Sequence, residues 1–401
     1  MAFIRSFQHS ELSMELVPEA QQPPVPALSD PIRNKRDQHT AHMLTVQWTA
    51  DLGWARPTIQ VYGPLSIHPN ASALHYATQS FEGMKVYRGY DGKLRLFRPL
   101  LNCERLQLSN ACVGLPTFDP HELLQLIIAF ASVECPRWLP EPHSHLYIRP
   151  AMIGMGSSLG VQMPPEALFF MTAALFPQRQ VAQKPMSSIK LLASPMTMVR
   201  AWPGGIGYAK VGANYGPTMR VQDEAKQQGC ISTLWLFGED EQVTECGGSN
   251  FFVIWRESNS VKLVTPPLEH GLILDGITRR SVLELARERL FSPNTECGKL
   301  KPLVIEQRTF TMTDIRRASE EGRLLEGFVT GTSVSIMPVS AIVYKGAPIW
   351  FPSGAAGNET GSPITQTLGY ANIFKQWLDE ICYGTVIHEW ACEVANAEGC
   401  E

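Results

Sequence analysis

A single lysine, Lys210, sits in the run Ala201-Trp-Pro-Gly-Gly-Ile-Gly-Tyr-Ala-Lys-Val-Gly-Ala-Asn-Tyr-Gly-Pro217, among five glycines and two prolines. A lysine between turns is ordinarily a solvated side chain. Held in a cramped, partly apolar pocket, the same amine gives up its proton more readily and can form a Schiff base with an aldehyde. Glycines let another molecule approach the backbone closely. Spacing alone leaves both readings open.

Other residues suit an anionic, aromatic ligand. Gly276-Ile277-Thr278 precedes a helical pattern. The Ile277 and Thr278 amides could hold a phosphate there, or simply begin an ordinary capped helix. Gly331-Thr332-Ser333 is a second candidate cradle, and Arg105 could supply a full charge or form a surface ion pair. Glu245, in Val243-Thr-Glu-Cys-Gly-Gly-Ser-Asn250, reads as part of a polar break between strands. Its carboxylate could pair with a protonated ring nitrogen and Tyr215 could hydrogen-bond a ring oxygen, although turn residues look similar. A phosphate, a basic ring nitrogen, a phenolic oxygen and an aldehyde for the lysine together describe pyridoxal phosphate. No metal site is expected, since HExxH and CxxC are absent. Gly204-Gly-Ile-Gly207 fits neither a dinucleotide fingerprint nor a P-loop, and Ser187-Ser-Ile-Lys190 lacks the companion motifs of a serine acylase.

The elements that must position these residues alternate between strands and helices. Short apolar runs at 42–48 and 58–67 read as strands, and a short helix can start at Ser72. Asp91-Gly92 suits a hairpin between 81–88 and 93–98. Pro99 opens a helix carrying Arg105, and Asp119-Pro120 caps another. Strands are expected at 145–152 and 167–176, then at 189–193, 232–237, 251–255 and 261–264. Helices are expected at 217–228, 279–290 and 365–381, with a strand and a helix between 303 and 318. This is an α+β pattern. The boundaries it suggests are an N-terminal arm (1–42), a small α+β domain (43–177), a linker (178–188), a large domain (189–392) and a polar tail (393–401).

Composition narrows the partners. A formal net charge of -4 over 401 residues shows no nucleic-acid footprint, and no apolar run reaches the ~18 residues a membrane span needs. Small molecules or a second copy of the chain are the expected partners. The nine cysteines are scattered and odd in number, so most are expected to be small buried hydrophobes in a reducing compartment. The cytoplasm is the expected location, with a short mitochondrial presequence as the alternative.

The chain resembles the branched-chain amino acid aminotransferases, class IV pyridoxal-phosphate enzymes of fold type IV, whose fold is that of D-amino acid aminotransferase. The resemblance runs from about Leu12 to Trp390. It is carried by Leu74-His-Tyr76, Phe81-Glu-Gly-Met-Lys85, Arg98-Pro-Leu-Leu-Asn102, Leu146-Tyr-Ile-Arg-Pro150, Ala201-Trp-Pro-Gly-Gly205, Lys210-Val-Gly-Ala-Asn-Tyr-Gly-Pro217 and Gly331-Thr332. It implies a small α+β domain, a larger pseudo-barrel domain and a site between them. Lys210 would bond to the cofactor and shuttle the Cα proton. Arg105, the Ile277 and Thr278 amides and Thr332 would hold its phosphate, Tyr215 its phenolic oxygen and Glu245 its ring nitrogen.

For the substrate, the resemblance implies that Thr332, Ser333 and Tyr147 meet the α-carboxylate and Arg149 the side-chain carboxylate of glutamate. Tyr76 and Phe81 would line an apolar wall near Gly248, and Leu159 and Val161 would reach in from the partner of a homodimer. The implied activity exchanges the amino group of a hydrophobic L-amino acid with 2-oxoglutarate. Two departures stand out. Gly247-Gly248-Ser249-Asn250 replaces the family's Gly-Thr-Met-Asn, and Lys35 stands where a phenylalanine normally covers the substrate. Each points to a larger or more polar substrate, for a specialised enzyme. A lyase, a D-amino acid enzyme or a non-catalytic protein of the same fold are the other readings.

Overall fold

The computed structural model describes residues 6–27, 29–177, 188–290, 300–352 and 369–394. The chain divides into two compact units. Unit 1 comprises Met1–Gln180, Ala209–Ala213 and Asp379–Glu401, and unit 2 comprises Val181–Tyr208 and Asn214–Leu378.

Unit 1 is built on one sheet. Its strands are β1 (Ser13–Met14), β2 (His42–Thr49), β3 (Gly53–Trp54), β4 (Thr58–Val61), β5 (Gln79–Phe81), β6 (Met84–Arg88), β7 (Leu94–Phe97), β8 (Ser144–Gly154), β9 (Glu166–Ala174) and β19 (Ala391–Glu393). They run in the order β1-β4-β2-β9-β8-β6-β7-β19, with β3 on β2 and β5 on β8. The helices are α1 (Ser72–Tyr76), α2 (Pro99–Cys112) and α3 (Pro120–Trp138). Pro99 occupies the first turn of α2, and the Asp119 carboxylate accepts from His121 N to cap α3, as their sequences predict. The apolar face of α3, including Leu123, Leu124, Ile127 and Phe130, joins the sheet's buried Leu44, Val86 and Ile148 in one core. The N-terminal residues are part of that core: Phe7 is 1% exposed and packs edge-on against Trp54 and face-on against Phe118.

Unit 2 closes a sheet on itself. Its strands are β10 (Ile189–Ala193), β11 (Ser232–Phe237), β12 (Gln242–Cys246), β13 (Ser249–Glu257), β14 (Ser260–Thr265), β15 (Leu303–Gln307), β16 (Leu324–Gly331), β17 (Ser335–Tyr344) and β18 (Ala347–Trp350). The path β12-β11-β10-β17-β16-β13 returns to β12 through the additional β12–β13 pairing, giving a ring of six strands. Closure removes the exposed strand edges that an open sheet would present. β14 and β15 extend from β13, and β18 from β17. The helices are α4 (Met219–Gln227), α5 (Ile277–Arg289) and α6 (Met312–Glu320); α7 is Tyr370–Cys382. The α+β class and the barrel-like second sheet are as the sequence led us to expect.

Several local expectations need correction. Residues 243–246 are not a polar break: they form β12, because a tight turn with Gly247 at φ +57° folds β12 back on β13. Strands β16, β17 and β18 were not among those expected. The polar stretch after Trp390 contributes β19, which pairs antiparallel with β7. Cys392 in β19 is disulfide-bonded, an exception to the expectation for most of the cysteines. Cys103, Cys135, Cys230 and Cys246 are buried free thiols, and burial pushes Cys246 up to about 12, out of the reactive range. Residues 178–187 of the expected linker and residues 365–368 of the last helix lie outside the described residues.

Replacing Phe7 by Ala would leave a void between Trp54, Phe118 and Phe169. Urea unfolding of F7A is expected to show a loss of about 3–5 kcal/mol. A loss under about 1 kcal/mol would mean that the N-terminal residues do not belong to the cooperative core.

Candidate active site

In unit 1, Lys210 is fixed by its own backbone. Its N–H donates to Ser109 Oγ at 2.9 Å, and its carbonyl accepts from Phe81 N at 3.1 Å. The flanking residues Ala209 and Val211 are fully buried, and Val211 bridges to Ser80. Lys210 Nζ lies 4.7 Å from the centre of the Phe81 ring. Ser109 Oγ also donates to Arg105 O, so one hydroxyl joins the lysine to the helix that carries the arginine.

Asn102, Arg105 and Ser109 are spaced three and then four residues apart, which places them on one face of α2. That face meets Glu82, in the two-residue break between β5 and β6. Arg105 Nε donates to Glu82 Oε1 at 2.6 Å and Arg105 Nη2 to Oε2 at 3.0 Å, a two-pronged pair with both side chains buried. Asn102 Nδ2 donates to Oε2 at 2.7 Å. Burial pushes the Glu82 carboxyl up, but the Arg105 charge and hydrogen bonds, the Lys210 charge and the Asn102 amide outweigh it. The net result lies below the usual carboxylate range.

Tyr147 and Arg149 alternate on β8 and so share a face. Arg149 Nη2 donates to Tyr147 OH at 3.1 Å, and its guanidinium carbon lies 4.7 Å from the Phe81 ring centre. Tyr147 lies over Gly83, where an added Cβ would fall 1.8 Å from its hydroxyl. Arg149 Nε is buried with no hydrogen-bond partner among the described residues, which suits a guanidinium built to receive a carboxylate. Tyr76 is 39% exposed at the end of α1. Lys35 is exposed; its neighbour Arg36 lies 5.0 Å from the Phe176 ring, which stacks on Tyr147 at 4.1 Å.

Unit 2 holds the second set. Glu245 on β12 is buried, with Oε2 accepting from Arg200 Nε at 2.9 Å and Oε1 from Leu274 N at 2.6 Å. Asn250, opposite Glu245 in the β12–β13 ladder, donates to Glu245 Oε1 at 3.3 Å and to Leu274 O at 2.8 Å. Asn250 Oδ1 leaves no room for a Cβ on Gly276, the N-cap of α5. Side-chain capping and first-turn acids are both missing at this helix end, so the amides of Ile277 and Thr278 suit an anion. Thr330 Oγ1, two residues before Thr332, is buried without a hydrogen-bond partner among the described residues. The Tyr215 ring sits beside Gly248, 3.6 Å from where a Cβ would stand. This unit 2 donor set, with amides, hydroxyls and a buried carboxylate, fits a phosphorylated aromatic ring.

The structure thus gathers Phe81, Arg105, Tyr147, Arg149 and Lys210 within unit 1. Unit 2 carries Tyr215, Glu245, Gly248, Ile277, Thr278, Thr332 and Ser333. Sequence reading gave no role to Glu82, Asn102, Ser109, Arg200 or Asn250. Glu82 and Asn102 lay inside quoted motifs, and the helical spacing from Asn102 to Ser109 was the available signal. Arg200 had only its place beside the Ala201 motif.

Because the Glu82 pKa is lowered on folding, its contribution is present above the unfolded value of about 4.3 and is lost as pH falls through the folded value. E82Q is therefore expected to be less stable than the native chain by about 3 kcal/mol at pH 7 in urea unfolding. The gap should narrow below about pH 4. A gap independent of pH would show that Glu82 is not ionised.

The class IV amino-transferase family model matches residues 79–342. The mitochondrial branched-chain-amino-acid aminotransferase of Rattus norvegicus is 40% identical over 395 residues, 97% of this chain and 92% of that protein. The cytosolic one of Mus musculus is 41% identical over 357 residues, 88% and 86% of the two chains. Among solved structures, the branched-chain amino acid aminotransferase of Thermobaculum terrenum in its pyridoxal-phosphate holo-form superposes with a TM-score of 0.65. It is 21% identical, covering 89% of this chain and 99% of its own, a likeness of fold. The chain belongs to the class IV aminotransferases, the family of the branched-chain-amino-acid aminotransferases.

Proposed function

We propose that this protein is a pyridoxal-phosphate-dependent transaminase that moves the amino group between a branched-chain or other hydrophobic L-amino acid and 2-oxoglutarate. The observation that carries this reading is Lys210, its backbone held by Ser109 Oγ and Phe81 N and its Nζ placed 4.7 Å from the centre of the Phe81 ring. When bound, the cofactor supplies an aldehyde to take up the amino group and a ring to accept electron density as the Cα proton leaves. Lys210 Nζ would hold that aldehyde and would carry the Cα proton. Arg105, the Ile277 and Thr278 amides and Thr332 hold the phosphate. Tyr215 donates to the phenolic oxygen, and Glu245 faces the ring nitrogen. Thr332, Ser333 and Tyr147 bind the α-carboxylate, and Arg149 takes the distal carboxylate of glutamate. Tyr76, Phe81 and Gly248 border the donor's side chain.

A second reading concerns the donor. Arg36 on Phe176, and Phe176 on Tyr147, put a cation and an extra ring beside this wall, which favours a bulkier or more polar side chain. We also assign a homodimer. Leu159, Val161 and Met163 follow β8 and are 62%, 90% and 75% exposed, an apolar cluster suited to a second copy.

Adding L-leucine, and separately L-glutamate, to the purified holoenzyme is expected to bleach its visible cofactor band. K210A should slow this by about 10²- to 10⁴-fold. A band indifferent to both amino acids, or an unimpaired K210A, overturns the assignment. Running the assay with phenylalanine and polar donors decides the second reading, which a strong preference for leucine removes. For the dimer, light scattering should give twice the chain mass for the native protein and a single chain mass for V161D. A monomeric native protein overturns that assignment.

A further inference from the structure

The geometry points to Arg200 as a positioning residue for the cofactor's ring nitrogen, acting through Glu245; this rests on the reading above that Glu245 faces that nitrogen. Arg200 and Glu245 are both 2% exposed at their side chains. Arg200 Nε donates to Glu245 Oε2 at 2.9 Å, while Arg200 Nη1 donates to Gly207 O and to Leu272 O, each at 3.2 Å. One guanidinium therefore ties three stretches of chain. The first is β12 with Glu245. The second ends at Gly207, three residues before Lys210 in sequence. The third runs from Leu272 through Leu274, whose N–H binds Glu245 Oε1, to Gly276 at the start of α5.

Two consequences follow for the carboxylate. A buried carboxylate without a counter-charge is driven towards its neutral form, and Arg200, as a permanent cation, opposes that. A neutral Glu245 could not keep a ring nitrogen protonated. The fork of the guanidinium also fixes direction: Nε serves the carboxylate while Nη1 is held by two backbone carbonyls, so the Glu245 oxygens cannot swing. A lysine has the charge but only one compact donor group, which cannot span Glu245 and both carbonyls together.

The test uses apoprotein titrated with pyridoxal phosphate and with its 1-deaza analogue, in which carbon replaces the ring nitrogen, followed by protein fluorescence. Native protein is expected to bind pyridoxal phosphate about tenfold or more tightly than the analogue, the scale of a charge-assisted hydrogen bond. R200K should reduce that preference to about twofold or less while changing affinity for the analogue little. If R200K weakens both ligands equally and keeps the preference, Arg200 is merely structural and the proposal falls. If native protein shows no preference, the assignment of Glu245 to the ring nitrogen fails first, a separate outcome. Should R200K not fold alone, the comparison moves to E245Q, which removes the carboxylate through which Arg200 is proposed to act. R200K added to E245Q should leave the preference of E245Q unchanged, and a further drop overturns action through Glu245.

Discussion

A carboxylate taken out of water must be compensated on the spot, and this protein buries two of them where its chemistry is expected. The desolvation cost of an isolated ion would exceed the stability of an ordinary domain. Glu82 is met by Arg105 and Asn102, and Glu245 by Arg200, Leu274 N and Asn250. Each arrangement ties together different secondary-structure elements. In unit 1 the partners come from the β5–β6 break and from α2. In unit 2 they come from β12, β13, the loop leading to α5 and the segment before Lys210. The same contacts that make burial tolerable give fixed direction to the groups assigned to cofactor and substrate.

Much of the scaffold was legible because it rests on local signals. Asp119-Pro120 and Pro99 mark helix starts, Asp91-Gly92 marks a hairpin, and the apolar spacing of α3 and α5 marks buried faces. Strand β12 was hidden because its sequence, Gln-Val-Thr-Glu-Cys, carries a buried glutamate where a strand facing a core would ordinarily be apolar. Its state is decided by ring closure and by Arg200, neither visible in a short window. For the site, the motif residues could be read by resemblance, but their partners could not. Glu82 and Arg105 are neighbours only because a helix face meets a gap between strands.

Specificity is less constrained than chemistry in this architecture. Lys210, Arg105 and Glu245 are each held by several buried contacts. By contrast, Lys35 and Arg36 lie on the exposed N-terminal segment, and Arg36 adopts a left-handed backbone, φ +62°. Unbranched polar contacts over an aromatic surface can be exchanged without disturbing a core. Residues over the Phe176 and Tyr147 rings can therefore change while Lys210 and the buried pairs stay fixed.

Closure of the six-stranded ring also governs when the protein can become active during synthesis. β10 pairs with β17, so that Ile189 sits opposite Val339, and the hairpin bearing Glu245 and Asn250 belongs to the same ring. Unit 1, begun at the N-terminus, gains its last strand only with Ala391–Glu393. Neither sheet is complete until most of the chain has left the ribosome, and pairing between strands so far apart is slow. The nascent chain must hold unpaired strand edges for much of its translation, which makes the last third of the sequence a determinant of folding yield as well as of structure.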